Sequence, residues 1–170
     1  MALLKILKYP EPVLGKKGKQ VTEFDDWLKS FVGDMFETMY AASGVGLAAP
    51  QVGVSKRIFV MDCSTGRDEK QKIAMINPTV IEVEGEQESE EGCLSFPGIY
   101  LTVNRAARAK VRAQDIDGKE FEIDGTDLVA RCMLHETDHC DGILFTERTT
   151  PLKREMALRK IRKLIKAGEW

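Results

Sequence analysis

The sequence is poor in histidine: its 170 residues contain two, at positions 135 and 139. No apolar run approaches the ~18–20 residues a membrane-spanning helix needs, so no membrane association is expected. Charge of one sign is lacking too. The 25 basic and 27 acidic residues leave a net charge of −2, which excludes a whole-molecule polyanion binder and leaves room only for a local basic patch. No internal repeat, low-complexity segment or linker divides the chain, and a single domain over 1–170 is expected. The apolar run before Tyr9-Pro10 is too short for a secretory leader. Cys63, Cys93, Cys132 and Cys140 are therefore expected to be reduced thiols of a cytoplasmic protein.

What is present has clear periodicity. Residues 23–41 set Phe24, Trp27, Leu28, Phe31, Val32, Met35, Phe36 and Met39 at helical spacing, with Thr22 as the expected N-cap. From Arg57 the texture becomes strand-like: RIFVMDC, IAMINPTVIEV, then ARAKVRAQDI and KEFEI, which read as a hairpin through Asp117-Gly118. A second helix is expected from a Thr126 cap to a stop at Gly142, and a third from Pro151 to about 167. The class is α+β: antiparallel strands packed around a central HExxH metal-binding helix, with an N-terminal amphipathic helix and a C-terminal helix.

Both histidines lie in HETDHCDGILF, residues 135–145. On a helix, His135 and His139 share one face and can reach one ion, while Glu136 can reach a water bound to it. This supplies two ligands, and Phe145 stands where one class of metallopeptidases has a third histidine. Cys132 is about 10.5 Å along the axis from His139, too far to share an ion, and Cys140 points about 100° away. Cys63 at a strand end and Cys93 in SEEGCLSFPG both remain open, as do Glu147 and Glu155 if the third ligand is a downstream glutamate.

GVGLAAPQ (Gly44–Gln51), EGCLS (Glu91–Ser95) and HETDH (His135–His139) resemble the three signature motifs of the peptide deformylase family, in order and spacing. LKILKYPEPVLGKKGKQV and DMFETMYAASGVGLAAPQVG extend the likeness to nearly the whole chain. The resemblance implies one divalent metal per chain on Cys93, His135 and His139, with Fe2+ as the working ion and Zn2+, Ni2+ or Co2+ able to substitute. It implies removal of the formyl group from the N-terminal formylmethionine of nascent polypeptides. Glu136 would be general base on metal-bound water, and the Gln51 amide and Leu94 backbone N–H would hold the oxyanion. Gly44, Val45 and Gly46 would lie along the substrate, and Val45, Glu91, Leu128, Cys132 and His135 would wall its methionine pocket. Arg105 matches a family arginine near the ligating cysteine. Leu134, Cys140 and Arg131 depart from the family pattern, the last at the expected pocket rim.

Residues 152–167 carry Lys153, Arg154, Arg159, Lys160, Arg162, Lys163 and Lys166 against one acid, Glu155. Leu152, Met156, Leu158, Ile161, Leu164 and Ile165 form the apolar side expected to dock on the domain. Beside the resemblance, this basic helix suggests contact with ribosomal RNA by a protein expected to be monomeric.

Overall fold

Alternation along Ile58–Met61 assigns each side chain to one face of a sheet, because successive residues of a strand point opposite ways. In the computed structural model, which describes residues 2–170, the chain forms α1 (Asp26–Ala41), β1 (Gly46–Ala48), β2 (Ile58–Met61) and β3 (Ile73–Glu84). It continues through β4 (Gln87–Gly92), β5 (Tyr100–Arg105), β6 (Arg108–Gln114) and β7 (Glu120–Thr126), then α2 (Asp127–Cys140) and α3 (Pro151–Lys166). Five strands make an antiparallel sheet in the order β1-β2-β3-β6-β7, and β4 and β5 pair separately.

Ile58 and Val60 join Leu47 and Ile76 on one face, where Leu28, Phe31, Met35 and Met39 of α1 cover them. Phe59 and Met61 join Met75, Val111 and Ala113 on the other, under Ala130, Met133 and Cys140 of α2. The HExxH helix is thus pressed flat against the sheet, and only one flank of it can face a cleft. A third cluster, including Leu14, Phe96, Phe145 and Ile161, ties the loop after β4 to α3.

Most of the expected elements are found, with three differences. The first helix begins at Asp26 and its cap is Asp25, whose carboxylate accepts the Leu28 N–H at 3.0 Å; Thr22 lies outside the helix. The β6–β7 turn is wider than Asp117-Gly118. Asp115 Oδ1 gathers the N–H groups of Asp117 and Lys119 at 2.9 and 3.0 Å, and Gly118 takes the left-handed conformation, φ +84°. The apolar side of α3 docks only in part: Ala157 and Ile161 are buried, but Leu152, Met156 and Ile165 are 71%, 63% and 45% exposed. The helix is anchored along Ala157, Leu158 and Ile161 alone. Among the described residues, no helix is long and apolar enough to cross a membrane.

Candidate metal centre

The two histidines project from one flank of α2 with ring centroids 5.0 Å apart. Cys93 follows the last residue of β4, and the strand end carries its sulfur to the helix, 3.4 Å from His139 Nε2. One ligand atom each from Cys93, His135 and His139 lies within 4.8 Å of the others, and this is the only such trio among the described residues. The other open candidates are elsewhere. Cys63 lies beside the Cys132 thiol, Glu147 accepts the Leu144 N–H at 2.7 Å, and Glu155 pairs with Arg162 at 2.9 Å. Phe145 is buried against Phe96 and the His135 ring, so an aromatic wall occupies the position of a third histidine.

The donor set suits a cation of borderline softness, with two imidazoles and one sulfur. His135 Nδ1 is 2.7 Å from Glu91 Oε1, which leaves its other nitrogen for the centre and raises its basicity. Burial works against a charged His135, yet Cys93, Glu91 and Glu136 around it favour positive charge there. For His139, burial and then the neighbouring His135 hold the ring unprotonated, the form a ligand requires.

Glu91 is the hub of a buried ion network. Arg105 grips it bidentately at 2.6 and 3.0 Å and reaches Asp138 at 2.9 Å, and Arg148 closes on the same Asp138. Burial would raise the Glu91 pKa, but hydrogen bonds from His135 and Arg105 bring it down to about 2. Arg131, expected at the pocket rim, is instead buried, bonding Glu91 Oε2 at 2.5 Å and the Val103 carbonyl at 3.1 Å, though it still borders the cleft. Arg105 is likewise buried in the network. Asp138, Arg148 and Ser95 were not anticipated. A charged residue such as Asp138 reads as solvent-facing on a helix until its partner Arg105, distant in sequence, is known, and the Ser95 hydroxyl gains its role only by meeting Gln51.

Glu136 is buried at the centre's edge, and burial pushes its carboxyl up to about 7. Close packing there explains Gly46, where an added Cβ would stand 2.6 Å from Glu136 Oε2 and 3.0 Å from the Cys132 sulfur. Gln51, on the short turn after β1, is held at both ends. Its Oε1 accepts the Ala48 N–H at 2.9 Å and its Nε2 donates to Ser95 Oγ at 3.1 Å, with the Cys93 sulfur 3.7 Å away. A cleft of about 530 Å³ opens over these groups. Gly44, Val45 and Gly46 form one wall, Leu94 another, and Leu128, Cys132 and His135 the helical side, with Glu91 beside them. Of the departures, Leu134 packs toward the sheet and the Cys140 thiol lies 3.8 Å from the Ile58 carbonyl, both away from the cleft.

Residues 3–155 match the family model described as polypeptide deformylase. The chain is 52% identical to a peptide deformylase of Acidobacterium capsulatum over 170 residues, all of both chains. It is 50% identical to one of Chromobacterium violaceum over 96% of each. The fold superposes on a crystal structure of a peptide deformylase from Legionella pneumophila with a TM-score of 0.91, at 49% identity over 98% of each chain.

Proposed function

The chain belongs to the polypeptide deformylase family, metal-dependent hydrolases that remove the N-terminal formyl group from newly made polypeptides, and from that premise we propose how its residues divide the work. Cys93, His135 and His139 hold one divalent ion, Fe2+ in the cell, with Zn2+, Ni2+ or Co2+ as substitutes. Bound there, the ion supplies Lewis acidity that polarises a carbonyl and acidifies water. Glu136 takes a proton as general base from the water that adds to the formyl carbon, and returns it to the amine nitrogen as the C–N bond breaks and formate leaves. A carboxyl pushed up to about 7 by burial is suited to both transfers. The Gln51 amide and the Leu94 N–H receive the negative charge that develops on the formyl oxygen, and the bonds to Ala48 and Ser95 keep that amide from turning away.

Gly44–Gly46 lies along the substrate backbone as an added strand would. The methionine side chain enters between Val45, Leu128 and Cys132, above Glu91 and His135. The protein acts as a single-domain monomer in the cytoplasm, and the exposed basic side of α3 contacts ribosomal RNA where the substrate emerges.

The observation that carries this division is the meeting of Cys93, His135 and His139 within 4.8 Å beside a buried carboxyl. The test is anaerobic release of formate from a formyl-Met peptide by iron-loaded protein. Glu136→Ala should keep the ion and lose ~10²–10⁴-fold in kcat. Near-normal turnover in that variant would refute the role of Glu136.

A further inference from the structure

We infer that the segment of the nascent chain following the residues held in the cleft lies in a second groove, between β5 and α3; this rests on the deformylase reading above. The groove, about 350 Å³, is continuous with the catalytic cleft: Glu90, Gly98, Ile99 and Tyr100 border both. It runs on past Leu101 and Thr102 of β5 to Lys153, Met156 and Lys160 of α3. A polypeptide whose formylated end sits at Glu136 must leave the cleft somewhere, and the Gly98–Tyr100 end leads into this channel.

The chemistry of the walls indicates what would fill it. Tyr100 and Met156 are 65% and 63% exposed, apolar surface that the fold does not cover. The incomplete docking of α3 is the cause. Anchoring through Ala157 and Ile161 turns Lys153, Met156 and Lys160, spaced by three and four residues, along the groove. The groove is bordered by two ammonium groups and by one carboxylate, Glu90, at the end shared with the cleft. An extended chain with apolar side chains and an acidic residue suits such walls, its carbonyl oxygens also accepting from the lysines. The basic residues Arg154, Arg159 and Lys163 are exposed and do not border the groove, so occupancy of it leaves them free.

Two substrates test this: formyl-Met-Ala-Ser, and a formyl-Met peptide of about nine residues, some 30 Å extended, with Leu and Asp in its second half. The ratio of their kcat/KM values is read for the wild-type protein, for Met156→Glu, and for the double variant Lys153→Glu, Lys160→Glu. The expected wild-type ratio is about tenfold in favour of the long peptide, expressed in KM because the contact is made equally in ground and transition states. Both variants should bring it near one, and replacing Asp by Lys in the long peptide should do the same. A wild-type ratio near one overturns the groove, including the case in which a second copy of the chain covers it and dimer is seen by sedimentation. A ratio that survives in both variants overturns it too. Absence of turnover with the short peptide overturns the deformylase reading itself, and the groove with it.

Discussion

His135 Nδ1 and Glu91 Oε1 lie 2.7 Å apart, so a carboxylate on β4 orients a histidine on α2. The same carboxylate pairs with Arg105 and Arg131, both buried. Removing it has two separable effects. Glu91→Ala should weaken metal affinity ~10–100-fold, because the ring loses the partner that sets its orientation and basicity. It should also cost about 3–5 kcal/mol of stability by leaving the buried Arg131 without a carboxylate and Arg105 with Asp138 alone. Metal titration reads the first and denaturant unfolding of metal-loaded protein the second. Unchanged metal affinity would mean that His135 is held by its packing alone.

Gly46 tests the closeness of the catalytic carboxyl to the strand. In Gly46→Ala, the new methyl group would stand 2.6 Å from Glu136 Oε2, so the carboxyl must move. Displacement by about 1 Å can cost on the order of 10²-fold, and a fall of that size in kcat is expected with metal content unchanged. Metal analysis and formate release on one preparation measure both. Unaltered kcat would show that Glu136 has room to work elsewhere.

How much of this was legible in the sequence depends on distance along the chain. HETDH sits on one helix, so local spacing alone brings His135, Glu136 and His139 together. Cys93 arrives from a strand end dozens of residues earlier, and its local sequence favours it only weakly over Cys63 until the family motif singles it out. The ion network was illegible for the same reason: Arg131 meets Glu91 and Asp138 meets Arg105 only after β4, β5 and α2 converge, and Arg148 joins through Asp138. Helical pattern marked Leu152, Met156 and Ile165 as apolar but carries no information on what covers them. Asp25 displaced Thr22 as the cap because helix onset depends on which side chain reaches an unpaired N–H, a difference of one turn that patterning does not resolve.

The exposed basic side of α3 should bind ribosomes through phosphates, independently of sequence and with strong salt dependence. Truncation after Pro151 should abolish co-sedimentation with ribosomes seen at low salt. The full chain should lose it gradually as salt is raised. Equal sedimentation of full-length and truncated proteins at low salt would leave the helix as scaffold alone.

The most direct test of the assigned centre is the metal content of purified single variants, read by elemental analysis. One ion per chain is expected in the wild-type protein, in Cys63→Ser and in Cys132→Ser. Cys93→Ser and His139→Ala should contain almost none. A metal-replete Cys93→Ser beside a metal-free Cys63→Ser would contradict the assignment of the third ligand.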